Sequence, residues 1–491
     1  MSFLNDIFGG ETGKPVKGEK LYRRLCACGA VPQAAEELAR QAGAPSETNH
    51  FIFDMALPIL CRDDDDRIPV LRTILPALEK RRFAALTFRN IRLQVTDVFK
   101  KADLTPRALA FEGCSLSEQD WVSIPRKITG GGIREIAFKN ISKRWDMKAM
   151  KAYPHPFMEG LLNVKGLEGL SFENCDLSDE DVSAIAGRLV ESSSLKKLSI
   201  AKERAWDKGV SDLISALPPT LEELNLSGMP LGGKNAANGL FDRLCVKIGE
   251  MPELRSLELA KCALETEDLK RLMAVLPPTM RRINLEDNEA LDDKDVRRMA
   301  KYMRRPECFI TEARFFHPLL MPKRFSAAVR QEIHTVQQIN ADALARHESR
   351  ERKNAHARAR GEKTFEEKLA AIPVRDIPGM LHDALKEGAL EAALNRMEAG
   401  GVKLRPADME ARDEDGKSLA EACLESKMLP SLMKPERHES PRTYQAAYDA
   451  LPESGKVLFD GKDGRPSFVK MKNTLMAEAV RAGLRNRSGG R

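Results

Sequence analysis

The stretch Leu167-Glu-Gly-Leu170-Ser-Phe172-Glu-Asn-Cys175-Asp-Leu177 has the pattern L-x-x-L-x-L-x-x-C-x-L. Leu170 and Phe172 are two residues apart, which places both on one face of an extended strand, while Cys175 stands where the chain turns. The pattern occurs eight times, with its third apolar anchor at positions 88, 111, 138, 172, 200, 226, 259 and 285. Successive anchors are 23 to 34 residues apart, which indicates a repeat array.

The second half of each repeat has helical spacing. Val182, Ile185 and Leu189 follow the quoted stretch at intervals of three and four residues. Ser178 is a candidate N-cap, and the acidic residues after it suit the positive end of a helix. Each repeat is therefore predicted to be a strand followed by a returning helix.

Residues 83 to about 305 resemble the ribonuclease-inhibitor-type leucine-rich repeat family in these repeats. The resemblance implies an α/β solenoid over residues 83–320, with a parallel sheet on the concave face and helices on the convex face. It also implies that the concave face is a binding surface. The repeats depart from the family in their uneven lengths and in having phenylalanine or isoleucine in place of several leucines.

The N-terminal 82 residues are predicted to be a helical cap. Apolar patches at Leu21–Leu25, Ala34–Leu38 and Phe51–Met55 alternate with polar turns. Because a repeat array leaves its first repeat uncovered, a cap is expected at this end.

The region after the solenoid is predicted to be mostly helical. Residues 321–370 form a basic helical linker, whose far end we expect to be solvated. Residues 371–436 resemble a degraded ankyrin pair, because Gly379-Met-Leu381-His382-Asp-Ala384 is followed by Asp415-Gly416-Lys-Ser-Leu419-Ala. A plain pair of helical hairpins fits these residues nearly as well.

Residues 437–491 form a tail with a small hairpin and a basic C-terminal helix. Arginines at positions 481, 485, 487 and 491 resemble the export signals of some type IV secretion substrates. Basic residues are also favourable at any helix C-terminus, which is the simpler interpretation.

The predicted binding surface consists of the charged side chains between the apolar anchors of the strands. These are Arg89, Arg107, Arg134, Lys139, Glu173, Lys196, Lys197, Glu222, Glu223, Arg255, Glu258, Arg281 and Glu286. Charges of both signs favour specificity through complementary charge over hydrophobic grip. A protein partner fits this surface better than a small molecule.

Composition limits the function further. The 491 residues include 79 Lys+Arg and 73 Asp+Glu, and a net charge of +6 argues against a nucleic-acid coat. No membrane span or secretory signal is expected. Nine irregularly spaced cysteines indicate a reducing cytoplasm, either of the producing cell or of a host cell. No metal ligand set and no cofactor are expected.

We therefore predict a non-enzymatic scaffold that binds another protein through its concave face and resembles a bacterial effector. One alternative is a thiol-dependent ubiquitin ligase, because Cys61-Arg-Asp63 has the Cys-x-Asp spacing of bacterial ligase effectors with leucine-rich repeats. In that family, however, the ligase domain follows the repeats. The other alternative is nucleic-acid binding through the basic helix at 323–363.

Overall fold

The computed structural model describes residues 17–27, 30, 32–43, 50–54, 84–90, 107–114, 124, 132–141, 166–190, 192, 194–203, 208–233, 239–305, 307–316, 325–426, 428–434 and 437–451. The chain divides into two compact units, each described by itself below. The first comprises residues 1–292 and 314–322, and the second comprises residues 293–313 and 323–491.

The first unit is built on a parallel sheet whose strands follow one another in chain order. The strands are β1 His50–Asp54, β2 Ala85–Arg89, β3 Ala108–Glu112, β4 Glu135–Lys139, β5 Gly169–Glu173, β6 Lys197–Ala201, β7 Glu223–Asn225, β8 Ser256–Glu258 and β9 Arg282–Asn284. The Leu285 N–H donates to the Arg314 carbonyl at 2.7 Å, which adds β10, Glu312–Arg314, to the sheet order.

The strand register aligns the repeat anchors in columns. In one column Leu86 pairs with Leu109, and in the next Phe88 pairs with Phe111. The second of these columns contains the residues Phe88, Phe111, Phe138, Phe172, Ile200, Leu226, Leu259 and Leu285, each no more than 1% exposed. The anchors are buried on one face of a parallel sheet, which confirms the predicted α/β solenoid of leucine-rich repeats.

The turn after each strand is held by a buried polar side chain at several repeats. The Cys175 thiol donates to the Phe138 carbonyl at 3.2 Å, and Cys262 bonds the Leu226 carbonyl in the same way at 3.3 Å. The Asn288 side chain accepts the Cys262 N–H at 3.0 Å. Each side chain thus reaches back to the preceding repeat, and the predicted structural role of these cysteines agrees with this geometry.

Six helices of the first unit are described. They are α1 Lys17–Ala27, α2 Pro32–Gly43, α3 Asp179–Leu189, α4 Lys208–Ala216, α5 Leu240–Gly249 and α6 Thr266–Val275. Ser178 caps α3 as predicted, with a capping box to Asp181. At α6 the Asp268 carboxylate accepts the Glu265 N–H at 2.9 Å, so the cap is at Glu265 and the helix begins at Thr266. The alternation of strand and helix from residue 169 onward is as predicted.

The structure corrects the interpretation of Phe51–Met55 as part of a helical cap. Residues His50–Asp54 form β1, and Phe53 pairs with Phe88 of β2. The sheet therefore begins one strand before the first predicted repeat. Periodicity alone does not separate a short apolar strand from a piece of buried helix, and this segment lacks the full repeat pattern.

The second unit is helical. Its helices are α7 Asp293–Met303, α8 Ala327–Ala359, α9 Phe365–Leu369, α10 Leu381–Lys386, α11 Leu390–Ala399, α12 Pro406–Glu410, α13 Leu419–Glu425, α14 Leu429–Leu432 and α15 Pro441–Asp449, with a 3₁₀ helix at Val374–Met380. One apolar core extends from Leu369 to Leu451. The predicted boundary between residues 436 and 437 thus lies inside this core.

A buried arginine ties the end of this core together. The Arg437 side chain is 2% exposed and pairs with Glu391 at 2.9 Å and with Glu398 at 3.4 Å. Its hydrogen bond to Glu391 is the main reason why the pKa of that carboxyl falls to about 2. Because Arg437 belongs to the predicted tail, the start of that tail contributes to the core.

The basic helix α8 is partly covered along its far half. Arg346 pairs with Glu425 at 3.5 Å, Lys353 pairs with Glu387 at 3.5 Å, and Arg350 donates to the Gly388 carbonyl at 3.3 Å. The far end of α8 is solvated as predicted, because Arg346 and Lys353 are 46% and 65% exposed, while Arg350 is 27% exposed. The acceptors are distant in sequence: Glu425 lies in α13, and Glu387 and Gly388 lie between α10 and α11.

Candidate functional site

The exposed sheet face, which is the predicted concave face, consists of four rows of residues that cross the strands. The strand-start row lies along the edge where the strands begin, and contains Arg107, Arg134, Glu168, Lys196, Glu222, Arg255 and Arg281. The flanking row contains Ala85, Ala108, Glu135, Gly169, Lys197, Glu223, Ser256 and Arg282.

The two remaining rows complete the face. The floor row lies between the buried anchors and contains Thr87, Ala110, Ala137, Ser171, Ser199, Asn225, Glu258 and Asn284. The strand-end row contains Arg89, Glu112, Lys139, Glu173, Ala201, Ser227, Ala260 and Glu286. All thirteen predicted binding residues fall in these four rows.

Many of the predicted residues form ion pairs with one another. Lys196 pairs with Glu222 at 3.0 Å, and Lys139 pairs with Glu173 at 3.5 Å. Both pairs join residues from neighbouring strands within one row. The sequence analysis placed these residues on one surface, and the register brings them into contact.

Other ion pairs involve residues that the sequence analysis missed. Lys197 lies 3.1 Å from Glu135 and 3.9 Å from Glu223, and so links three strands of the flanking row. Arg282 also reaches Glu223, at 3.7 Å. Glu135 and Arg282 occupy the same repeat position as Lys197, so a strict alignment of the repeats by position would have found them.

Three more residues that were not predicted lie in or directly beside the strand-start and strand-end rows. Glu168 lies 3.6 Å from both Arg107 and Arg134, and is therefore shared by two predicted arginines. Glu112 pairs with Arg89 at 2.8 Å. The third is Lys202, which directly follows the strand-end row and pairs with Glu173 at 2.6 Å.

Neighbouring charges shift the pKa of two groups on this face. Burial alone would raise the pKa of Glu173, but the ammonium groups of Lys202 and Lys139 outweigh burial and lower it. Burial would lower the pKa of Lys197, but the carboxylates of Glu135 and Glu223 raise it. Both shifts favour the charged forms, so this network stays ionised near neutral pH.

The predicted residues near the end of the sheet have different surroundings. Among the residues that the structure describes, no carboxylate lies within ion-pairing distance of Arg255. Among the same residues, no cationic side chain lies within ion-pairing distance of Glu258. The Arg281 guanidinium donates to the Pro278 and Met280 carbonyls at 2.8 and 3.0 Å. The Glu286 N–H donates to the Asn284 side chain at 2.9 Å. Among these residues, Arg255 and Glu258 retain more of their charge for a partner.

The floor row has the smallest side chains of the face. Ala110, Ala137, Ser171 and Ser199 occupy it on four successive strands, and each is half-buried. Charged side chains rise from the rows on either side, with exposed fractions such as 44% for Lys197 and 46% for Lys139. The result is a shallow strip with ion-paired borders.

The surroundings of two buried cysteines raise the pKa of their thiols. Burial raises the pKa of the Cys175 thiol to about 12, with a further contribution from the Glu203 carboxylate. Burial likewise raises the pKa of Cys262 to about 12. A thiol acts as a nucleophile as its thiolate, so these two groups are unsuited to covalent chemistry. Cys61, on which the ligase alternative depends, lies outside the described residues.

Two features are absent from the part of the chain that the structure describes. No group of three His, Cys, Asp or Glu side chains there is placed to hold a metal ion. No described helix has the length and apolarity that crossing a membrane would require. The small hairpin and the basic C-terminal helix that are predicted for the tail lie outside the described residues.

Comparison with known proteins gives structural neighbours only. No protein-family profile matches the chain, and no curated protein matches it significantly. A chain of the Rad7–Elc1 complex from yeast is similar with 16% identity and a TM-score of 0.31, over 45% of this chain and 59% of that one. The chain thus spans less than two thirds of that neighbour.

The leucine-rich repeat-containing protein LegL7 from Legionella pneumophila is similar with 12% identity and a TM-score of 0.30. That match covers 52% of this chain and 91% of LegL7. At this level of similarity, no partner or activity transfers to the present chain.

Proposed function

We propose that the chain is a non-enzymatic scaffold that binds another protein through the exposed sheet face. One observation supports this proposal above all: the ion-paired borders on either side of a strip of small side chains. Small residues let the backbone of a partner approach the sheet, and the borders offer charges of both signs. Such a surface selects a partner by complementary charge.

The ion pairs on the face are suited to exchange. Exposed pairs contribute about 0 to 1 kcal/mol each, so a partner can replace them at small cost. Arg107, for example, is 68% exposed and lies 3.6 Å from Glu168. In the free protein the same pairs limit repulsion between like charges on neighbouring strands.

Nucleic-acid binding through the basic helix has less support. Arg346, Arg350 and Lys353 of α8 already bind acceptors within the second unit. Affinity for a nucleic acid comes chiefly from cations that neutralise phosphates, and the Glu425 and Glu387 carboxylates beside two of these cations oppose a polyanion. We therefore place the protein-binding role first.

Two finer proposals accompany this one. We propose that residues 371–436 are an ankyrin-like pair, which is supported by the bond of 3.0 Å between the His382 ring and the Ala411 carbonyl. The bridge from Arg412 to Ser418 also gives the second copy a hairpin turn before its helix.

Delivery of the protein into a host cell as a bacterial effector is proposed from the sequence resemblance only.

The test is site-specific photo-crosslinking with p-benzoylphenylalanine in the full chain. The crosslinker replaces Glu258 of the floor row in one variant and the 62% exposed Val246 of α5 in the control. We expect a discrete crosslinked partner from bacterial or eukaryotic lysate at position 258 and none at position 246. Excess unlabelled wild-type protein should compete for it.

A second competitor relates the partner to the charges of the face. A chain with Arg134, Lys196, Lys197 and Arg255 all changed to Glu should compete at least about tenfold less well, because like charges then oppose the partner. Equal crosslinking at positions 258 and 246, or equal competition by both chains, would contradict the proposal. Thermal unfolding of each variant confirms that it is folded.

A further inference from the structure

The strand-start row is a continuous line of charged residues across seven strands. Each member donates its backbone N–H to the carbonyl of the member before it. Examples are Arg134 to Arg107 at 2.7 Å, Glu222 to Lys196 at 2.7 Å, and Arg281 to Arg255 at 2.8 Å. The backbone therefore fixes the spacing of these charges at the spacing of the strands.

The order of the charges along this row is symmetrical. From β3 to β9 the row reads Arg, Arg, Glu, Lys, Glu, Arg, Arg. Two arginines stand at each end, and the three central residues alternate in sign. Five cations thus face two carboxylates, and the excess of positive charge lies at the two ends.

Ion pairing within the row preserves this distribution. At the centre, Lys196 and Glu222 pair at 3.0 Å and cancel each other. At one end, Arg107 and Arg134 share Glu168, so two cations meet one carboxylate. At the other end, the Arg281 guanidinium is anchored on the carbonyls of Pro278 and Met280 beside Arg255.

We propose that this row binds an extended acidic segment of the protein partner, with one acidic cluster on each arginine pair. The proposal rests on the proposed function, and it names the chemistry of the partner. Guanidinium groups bind carboxylates with paired, directional hydrogen bonds, which suits Asp or Glu side chains. The neutral centre of the row does not demand acidic residues between the clusters.

The spacing of the clusters follows from the sheet. The midpoint of the β3/β4 pair and the midpoint of the β8/β9 pair are separated by five strand spacings, or about 24 Å. An extended chain rises about 3.4 Å per residue, so the two clusters should be centred about seven residues apart. Clusters about three residues apart cannot reach both arginine pairs.

The test uses two fluorescein-labelled peptides of equal composition and the full chain. Each contains two Glu-Ser-Glu clusters in a Gly/Ser chain, with cluster centres seven residues apart in one and three apart in the other. We expect the wider peptide to bind about tenfold more tightly, because both pairs are engaged by one molecule. Fluorescence anisotropy measures Kd, which should rise between 50 and 200 mM salt as charges are screened.

Charge reversal identifies the row as the site. The double variant Arg255→Glu, Arg281→Glu should bind the wider peptide no better than the narrower one. The control variant Lys208→Glu, Lys270→Glu removes the same charge from the exposed helix surface, and should bind as the wild type does. Arg255→Gln with Arg281→Gln repeats the test without added repulsion, and thermal unfolding confirms folding.

The outcomes separate this inference from the proposed function. Equal affinity for the two peptides, or equal losses in the test and control variants, would overturn the acidic-segment proposal. If the crosslink at position 258 persists in that case, the scaffold role stands without it. If both the crosslink and peptide binding fail, both proposals are wrong.

Discussion

The two halves of the sheet solve the same packing problem with different side chains. In β2 to β5 the third anchor is phenylalanine, and the rings stack with centroids 5.2 to 5.7 Å apart. The same column continues with Ile200 of β6. It then holds Leu226, Leu259 and Leu285, which directly follow β7, β8 and β9. The register is parallel and continuous through both halves.

The contrast shows that backbone pairing and core packing are separable in this solenoid. Strands β2 to β6 are five residues long, and β7 to β9 are three, so strand length does not change where the anchor type changes. The backbone bonds nevertheless continue beyond the short strands, for instance from the Leu226 N–H to the Glu258 carbonyl at 3.0 Å. The repeat pattern thus sets the register, while the anchor type sets how the column packs.

The turns use thiols in both halves, as Cys262 shows, and an additional amide in the second half. Cys114 and Cys175 bond the preceding repeat with weak thiol donors, at 3.3 and 3.2 Å. Asn288 both accepts from Cys262 and donates to the Leu259 carbonyl at 2.9 Å. Glu203, which lies between these turns in the sequence, accepts the N–H groups of Cys175 and Leu177 at 2.9 and 2.8 Å. An amide offers a strong donor and a strong acceptor at once, whereas a thiol is weak in both roles.

The largest effect should come from opening the phenylalanine stack. Phe138 lies between Phe111 and Phe172, so Phe138→Ala removes two ring contacts and leaves a cavity. We expect the free energy of unfolding to fall by about 3–5 kcal/mol in urea denaturation followed by circular dichroism. Leu226→Ala, in the same column of the second half, should cost about 1 kcal/mol less, because it lacks the aromatic contribution. Equal losses in free energy of unfolding for the two variants would contradict an energetic difference between the halves.

The turn amide should rank second. Asn288→Ala leaves the buried N–H groups of Cys262 and Leu264, both 3.0 Å from its oxygen, without that acceptor. The expected loss in free energy of unfolding is about 2–3 kcal/mol. Cys175→Ala removes one weak donor from a first-half turn and should cost about 1 kcal/mol. A larger loss for the cysteine variant would reverse the ranking of the two turn types.

Acid should weaken the first half through Glu173. Its pKa is lowered in the folded state, so it contributes stability above its ordinary pKa near 4.5, and this is lost as pH falls through the folded value. The melting temperature of wild type should exceed that of Glu173→Gln at pH 6, and the two should converge toward pH 3. Lys202→Gln, which removes the nearest cation, should reduce the difference. A difference unchanged by acid would exclude this linkage.

The smallest effect should come from the ion pair that joins the two halves. Lys197 of β6 reaches Glu135 of β4 at 3.1 Å, with side chains 44% and 35% exposed. A double-mutant cycle with Lys197→Ala and Glu135→Ala should give a coupling of about 0.2–1 kcal/mol, because water screens both groups. A coupling above about 2 kcal/mol would mean that the face is held more rigidly than its exposure indicates.

The repeat array is predictable from local sequence alone, because buried anchors recur at positions that only a strand and a turn can satisfy. The local pattern also located the eight anchors, the cysteine turns, the Ser178 cap and the surface that carries the thirteen predicted charges. These features are local, and each depends on residues within one repeat. Strict alignment by repeat position would also have found Glu135 and Arg282.

Long-range packing and strand register, in contrast, set which charges meet and which segments join a core. Lys197 finds a partner 62 residues away, Glu203 reaches into the preceding turn, and Arg437 is buried against Glu391. β1 joins the sheet although its segment lacks the full repeat pattern. These outcomes depend on strand register and on contacts between residues distant in the chain, because burial and ion pairing are set by neighbours in space.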